Sequence, residues 1–489
     1  MRGVSRERVL ALSSGRCVPA VDAVPPEIDP CTDTRLLSPG QVFVALAGAS
    51  FDGHDFVERA RELGAAAAIV ARESALPAGF PGIVVADTTA AYLACAEVAR
   101  SMFTGRVAAV TGSVGKTTTK EFLRALCEAA GLGPVLGTPA NENNEIGVGH
   151  LLLRALRSDG GGSGRPATLV VEMGARHVGE IASLARAARP DVGVLTGVGE
   201  SHLENFPSLE ALRETKWGLF DFGARPVLNA DDAASMARLE GVLDRLPILC
   251  SAPLPPTEPS LVAFAPSPES AAAKVEVSRE DPEIVVVRYR EPGGASAPCT
   301  VVRERFLVHG WHHRLDLALA LGGVAALGGD LQAAIAALPQ LTLPEGRYQA
   351  ISLPNGATAV YDAYNAAPAS TEAALVTFAE QRARRRFAVI ASMAELGPDA
   401  ERMHRSIGAF AGRLAESRAL DHVLFGGDFA HALEEGALAS GAPRARIGRF
   451  ADNAEATEWL RGNLHPGDAV LLKGSRRYKL EEILEGLRR

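Results

Sequence analysis

Lysine is scarce in this chain of 489 residues: it stands only at positions 116, 120, 216, 274, 473 and 479, and arginine supplies the rest of the 50 basic residues. An ammonium and a guanidinium are not interchangeable, so a lysine kept in such a chain marks a place that needs a compact or neutralisable amine. Lys216 and Lys473 are singled out on that ground, whereas Lys274 and Lys120 fit chance survivors on the surface. Positive charge is lacking as well. A formal net charge of -8 leaves no basic footprint, which argues against nucleic acid as a partner. No apolar run reaches the roughly 18 residues that suggest a membrane span. The opening Met1-Arg-Gly-Val-Ser-Arg-Glu-Arg8 carries no signal-peptide core, so a cytoplasmic protein is expected. Cys17, Cys31, Cys95, Cys127, Cys250 and Cys299 form no C-x-x-C pair and read as reduced thiols.

What is present is an ordinary globular composition, 47% apolar and 22% charged, in a chain too long for one core. About 150 residues per domain gives about three domains. Residues 1–103 read as a small α/β unit. Residues 104–305 alternate strands with helices, the pattern of a parallel sheet with active groups at strand C-termini, and end in a proline-rich β-appendage over 253–305. Residues 306–489 repeat strand, polar turn and helix, and read as a second doubly wound, Rossmann-like sheet without a phosphate loop. The fold class is therefore α/β in three domains.

The chain is organised around Arg106-Val-Ala-Ala-Val-Thr-Gly-Ser-Val-Gly-Lys-Thr-Thr-Thr-Lys120. A buried strand breaks at Gly112-Ser113-Val114-Gly115, and Lys116, Thr117 and Thr118 open a helix. Bare backbone N–H groups, the positive end of the helix dipole and a lysine converge there on a phosphate. Thr117 is placed to meet a magnesium ion carried by a nucleoside triphosphate. The full spacing would put glycine at position 110, where this chain has Val110, so the loop is a shortened form.

Other clusters stand at strand ends. Thr168-Leu-Val-Val-Glu172 is an apolar strand ending in a carboxylate, the usual place for a magnesium or water-positioning group. His202 follows the strand Asp191 to Thr196, in a loop with Glu200 and Glu204. Lys216 sits among apolar neighbours on a predicted helix from Leu209 to Phe220. A buried ammonium is awkward there, and reaction with carbon dioxide to a carbamate would turn it into an oxygen ligand. Asp33-Thr34-Arg35 and Asp52-Gly53-His54 lie in polar loops of the first unit and suit ligand binding.

Taken in order, these segments resemble the Mur ligase family over essentially the whole chain. The matching stretches are Asp33-Thr-Arg35 with Phe51-Asp-Gly-His-Asp55, Thr111 to Thr117, Asn143-Asn-Glu-Ile-Gly147, Val171-Glu-Met-Gly174 and His202-Leu-Glu204 with Lys216. Leu228-Asn-Ala-Asp-Asp232, Gly346-Arg347, Ala394-Glu-Leu-Gly397 and Leu472-Lys-Gly-Ser-Arg476 continue the register. Within the family the likeness is to the branch that adds D-alanyl-D-alanine to UDP-N-acetylmuramoyl-tripeptide. It implies ATP and two Mg2+ ions as cofactors, those two precursors as small-molecule partners, and a monomer. It implies that Asp33 to Arg35 and Asp52 to His54 grip the UDP-sugar, and that Lys116 and the loop hold phosphates beside Asn143. Thr117 and Glu172 would hold one metal, and His202 and carbamylated Lys216 a second. Asn229 would face adenine, Arg347 and Asp362 would close on the nucleotide, and Asn365, Lys473 and Arg476 would serve the acceptor. The catalytic set is then Lys116, Glu172, His202 and Lys216. Departures from the family pattern fall at His313 and Asp316, where amides are expected, and at Ala367 and Ser392. Two other readings stay open at this point: a Mur-like ligase with another acceptor, and a non-catalytic nucleotide-binding protein.

Overall fold

The computed structural model describes residues 3–48, 51–140, 142–157, 166–199, 203–252, 273–280, 283–290, 299–308 and 310–489. The first unit contains β1 (Val4–Ser5), α1 (Arg6–Ser13), β2 (Arg16–Val18), β3 (Glu27–Ile28), β4 (Pro30–Cys31) and β5 (Val42–Val44). It continues through α2 (Val57–Glu62), β6 (Ala67–Val70), β7 (Gly82–Val84) and α3 (Thr88–Met102). Its sheet runs β2-β7-β6-β5-β4, parallel except for the β2–β7 pair, and β1 and β3 form a separate antiparallel ribbon. Asp87 starts α3 by accepting from the N–H groups of Thr89 and Ala90, which satisfies two of the donors a helix leaves free. That helix faces two ways. Tyr92 and Cys95 pack into the first core, while Leu93 and Ala96 pack into the core of the next unit.

The central unit holds β8 (Arg106–Thr111), α4 (Lys116–Ala129), β9 (Val135–Gly137), α5 (Glu145–Arg157), β10 (Thr168–Glu172), α6 (Glu180–Ala188) and β11 (Val192–Leu195). Then follow α7 (Leu209–Trp217), β12 (Arg225–Asn229), α8 (Ala233–Met236), β13 (Ile248–Ser251), β14 (Ala273–Arg279), β15 (Ile284–Arg290) and β16 (Cys299–Arg305). The nine strands order as β16-β15-β14-β13-β12-β11-β8-β10-β9. Those from β9 to β14 are joined by parallel pairs, and β15 and β16 close the edge antiparallel. Val107 to Val110 and Leu169 to Val171 are fully buried, as expected of parallel strands covered on both faces. The expected appendage is thus an extension of this sheet, since β14 continues the ladder from β13.

Helices α9 (Trp311–Ala326) and α10 (Leu331–Ala336) also belong to this core, which moves the packing boundary past the expected division at 305/306. The reason lies in the helix itself. Leu317 to Leu321 and Val324 are buried in one cluster with Phe122 and Leu126 of α4 and Val227 and Ile248 of the sheet. A side chain at Gly322 would press on Cys250 Sγ, and one at Gly323 on Leu123. From Leu317 to Ala326 the helix carries no charged or polar side chain, and a segment apolar all round is stable only when covered on several faces.

The third unit comprises β17 (Gln349–Ser352), β18 (Thr358–Asp362), α11 (Pro368–Ala379), β19 (Arg386–Ala391), α12 (Ala400–Glu416) and β20 (His422–Gly426). It ends with α13 (Ala430–Ala439), β21 (Ile447–Arg449), α14 (Asn453–Asn463), β22 (Ala469–Lys473) and α15 (Glu481–Arg488). The order β17-β18-β22-β19-β20-β21 is parallel beyond the β17–β18 pair. Its two faces carry separate cores, one with α11, α12 and α13, the other with α14 and α15. Asp362 and Lys473 come side by side at the C-terminal ends of β18 and β22.

Candidate active site

Gly112 and Gly115 take φ of +147° and +82°, a backbone region open to glycine at little cost, and so turn β8 sharply into α4. There is no room for side chains either: a Cβ at Gly112 would collide with Thr196 Oγ1, and one at Gly115 with Asp316 Oδ1. The loop is held from the side of β11. Ser113 N donates to Gly197 O at 2.9 Å, Ser113 Oγ to Gly199 O at 2.9 Å, and Thr196 Oγ1 to Val114 O at 2.5 Å. Lys116 Nζ curls back to donate to Gly112 O (2.8 Å) and Ser113 O (3.1 Å). Burial lowers the pKa of this ammonium, and the carboxylate of Glu172 opposes the shift. Thr118 is buried in the first turn of α4.

Glu172 ends β10 opposite Val110 of β8, which brings a carboxylate to the mouth of the loop. It is 1% exposed. Thr117 Oγ1 donates to its Oε1 at 3.2 Å and Asn143 Nδ2 at 2.9 Å, while its own N–H donates to Thr138 Oγ1. Its Oε2 has no hydrogen-bond partner among the described residues; Lys120 Nζ stands 3.9 Å away. A buried carboxylate oxygen left open beside a threonine hydroxyl suits a hard divalent cation such as Mg2+. Among the described residues no group of three or more His, Cys, Asp or Glu could hold a metal.

Lys216 lies on α7, 1% exposed. Burial, reinforced by the like charge of Lys116, pushes its pKa down to about 7, against the pull of Glu180 and Glu172. At neutral pH a large share of this side chain is therefore a free amine. His202 and Glu200 lie outside the described residues.

The third unit reaches into the same place. Arg347 Nη2 stands 3.4 Å from Thr117 Oγ1, and its guanidinium lies over the ring of Tyr364 at 4.4 Å, with that of Arg476 at 5.6 Å. Tyr348 N donates to Asp362 Oδ1, whose Oδ2 pairs with Lys473 Nζ at 3.0 Å. Lys473 also donates to Asn365 O at 2.8 Å; burial lowers its pKa and Asp362 resists. Asn229 uses its amide on its own surroundings, donating to Thr196 O and accepting from Asp231 N. It thereby braces the strand end that holds the loop.

The candidate UDP-sugar residues follow β4 and β5, at the C-terminal ends of parallel strands. Arg35 folds onto Asp33 through Nε and Nη2 and is exposed. Thr34 sits between them, half-buried. His54 is buried with both nitrogens engaged, Nδ1 with Asp52 Oδ1 at 2.6 Å and Nε2 accepting from Ala71 N. Its ring therefore shapes the loop instead of offering a free nitrogen. Gly53 packs so closely on Leu46 O that a Cβ would collide with it. Asp52, held also by Arg72, has its pKa lowered by these hydrogen bonds.

Three supporting residues escape the sequence reading. Lys120, which fits a surface survivor by sequence, is fully buried, with Nζ on Thr138 O and beside Glu121 Oε1, both at 2.8 Å. Its signal is lysine scarcity itself. Thr138 and Thr196 carry no local signature, because their partners lie tens of residues away.

Three family models match the chain: "Mur ligase family, catalytic domain" over 31–101, "Mur ligase middle domain" over 110–243 and "Mur ligase, glutamate ligase domain" over 346–476. The UDP-N-acetylmuramoyl-tripeptide–D-alanyl-D-alanine ligase of Mycobacterium tuberculosis is 33% identical over 93% of this chain and 91% of its own length. The Escherichia coli enzyme of that name is 31% identical over 93% and 92%. The crystal structure of MurF from Acinetobacter baumannii is 26% identical with a TM-score of 0.81, covering 100% of this chain and 99% of that one. MurF from Thermotoga maritima, in complex with ADP, gives 26% and 0.73 over 94% and 97%. Three family models along the chain and near full-length likeness to these enzymes lead to one conclusion: the chain belongs to the Mur ligase family.

Proposed function

We propose that the protein is the ADP-forming ligase that joins D-alanyl-D-alanine to UDP-N-acetylmuramoyl-tripeptide in peptidoglycan precursor synthesis. The observation that carries the reading is the meeting at Thr117 of Glu172, with its open Oε2, and Arg347 from the third unit. A carboxylate and an amine do not condense in water. The tripeptide's terminal carboxylate attacks the γ-phosphorus of ATP, ADP leaves, and an acyl phosphate forms. The amine of D-alanyl-D-alanine, having lost a proton, then attacks the acyl carbon, and the tetrahedral oxyanion collapses with loss of phosphate. Both steps concentrate negative charge, which fixed cations stabilise in a site closed to water.

In this reading Lys116 and the backbone N–H groups after Gly112 hold the β- and γ-phosphates. Thr117 and Glu172 hold Mg2+, which when bound supplies charge neutralisation at the transferring phosphoryl group. Arg347, steadied on Tyr364, adds a guanidinium from the third unit. Lys216, as a carbamate, would supply an oxygen ligand to a second metal, with His202 the expected partner. Asp33 to Arg35 and Asp52 to His54 form the UDP-sugar loops, and Asn365, Lys473 and Arg476 border the acceptor. The protein works as a monomer in the cytoplasm, where ATP and its precursors are found; no helix among the described residues is long and apolar enough to cross a membrane.

The test is phosphate release with ATP, Mg2+ and both precursors, each omitted in turn. Release that does not need D-alanyl-D-alanine, or that occurs only with another amine, overturns the acceptor assignment. Carbon-13 NMR after incubation with labelled bicarbonate tests the carbamate: a carbamate signal lost in Lys216→Arg supports it, and no signal sinks it.

A further inference from the structure

Against the phosphate loop lies a buried acid–imidazole pair on α9. Thr119 Oγ1 donates to Asp316 Oδ1 at 3.1 Å, and His313 Nδ1 lies 3.4 Å from Asp316 Oδ2. Both Asp316 and His313 are 5% exposed or less. A threonine inside a helix ordinarily turns its hydroxyl to the carbonyl four residues back. Here the N–H of Thr119 takes Gly115 O, and the hydroxyl leaves the helix for a carboxylate 197 residues away. The same Oδ1 fills the space a side chain at Gly115 would need. One oxygen thus touches both the last residue of the loop and the first turn of the helix behind it.

The electrostatics make the contact specific. An unbalanced carboxylate below an anion-binding loop would repel the ligand, and burial alone raises the pKa of Asp316. His313 and Arg347 are the basic groups that oppose that rise, and Thr119 is the hydroxyl donor. The ring of His312 lies 4.0 Å from that of His313, and the ring of Tyr348 6.2 Å from it. Tyr348 directly follows Arg347 in the chain. The pair is therefore packed between the loop and the segment that delivers Arg347 to Thr117.

We propose that Asp316, oriented by His313, is a positioning residue for nucleotide binding: it pins Gly115 and the first turn of α4 in the conformation that receives the phosphates. What it supplies is an acceptor at one point. A negative charge there opposes the ligand, so an amide in its place keeps the tether and removes the repulsion.

The inference rests on the loop being a triphosphate site, so direct binding of ATP with Mg2+ to the full chain is measured alongside turnover. Wild-type protein that binds no ATP refutes the loop assignment itself. With wild-type binding established, Asp316→Ala weakens ATP by about tenfold, the worth of one buried hydrogen bond. Asp316→Asn binds within about threefold of wild type or more tightly, and KM for the UDP-precursor stays put in both. Thr119→Val reproduces the loss, Thr119→Ser restores it, and the double variant Thr119→Val/Asp316→Ala is no worse than Asp316→Ala alone. A merely structural role gives a different pattern: folded fraction and all kinetic constants fall together, and the asparagine does not rescue. That pattern, or unchanged ATP affinity in Asp316→Ala, overturns the proposal. If Asp316→Ala does not fold, the Thr119 pair decides alone, and unchanged affinity in Thr119→Val overturns it.

Discussion

Replacing Lys216 by methionine should make the protein more stable while abolishing its activity. The side chain is buried on α7, and burial together with Lys116 lowers its pKa from 10.5 to about 7. At 1.36 kcal/mol per pH unit, that displacement corresponds to about 5 kcal/mol against folding with the ammonium charged. The folded protein releases this proton as pH rises through about 7, whereas the unfolded chain keeps it until about 10.5. Between those values the unfolded chain binds more protons, so this group's contribution to stability rises with pH. Methionine fills similar space, carries no charge and does not titrate. The variant's advantage over wild type should be about 5 kcal/mol near pH 6 and shrink to about 3 kcal/mol near pH 8.5. Comparing the two proteins at each pH cancels the titrating groups that do not interact with Lys216. The assay is thermal unfolding in buffers free of carbon dioxide, where the lost 2 kcal/mol amounts to about 2 °C for cooperative unfolding of the whole chain. A methionine variant less stable than wild type near pH 6, or an advantage indifferent to pH, would refute the buried-ammonium argument.

Glu172→Gln keeps the shape of the strand tip but removes its charge. Precursor-dependent phosphate release should fall on the order of a hundredfold, with a higher Mg2+ requirement and little change in thermal stability. Lys473→Met strands Asp362 without its partner at 3.0 Å, for a loss of about 3–5 kcal/mol in urea unfolding that Asp362→Asn partly restores. Lys120→Met leaves Thr138 O and Glu121 without their buried donor and should cost about 2–4 kcal/mol, read as a lower melting temperature. Gly115→Ala meets both a φ of +82° and the oxygen of Asp316, and should remove ATP binding measured by titration.

The parts legible in the sequence were those whose chemistry is local. The glycine turn between an apolar strand and a helix, and the carboxylate closing Thr168–Glu172, declare themselves within a dozen residues, and the parallel ladder then sets Glu172 beside Thr117. Lysine scarcity points to Lys216 and Lys473, both nearly inaccessible, and Lys120 is buried as deeply. Its position three residues past Thr117 looked like an ordinary helix face until the chain at Thr138 folded over it. The place of α9 was hidden for a related reason. An apolar stretch such as Leu317 to Ala326 shows that it is covered, not by which sheet, and only the packing of Leu317 and Leu321 against Phe122 and Ile248 decides the question. His54 has a part its sequence context does not show: its hydrogen bonds to Asp52 and Ala71 hold the polar loop in shape.

Arg347 approaches Thr117 from a body whose sheet begins only after α10, so the cations around the glycine turn are shared between two separately packed cores. Neither core alone assembles the full set. A small molecule wedged into the seam could therefore silence the enzyme by keeping one guanidinium at a distance, without imitating ATP or either peptide, and would be drawn from chemistry unlike that of nucleotide analogues.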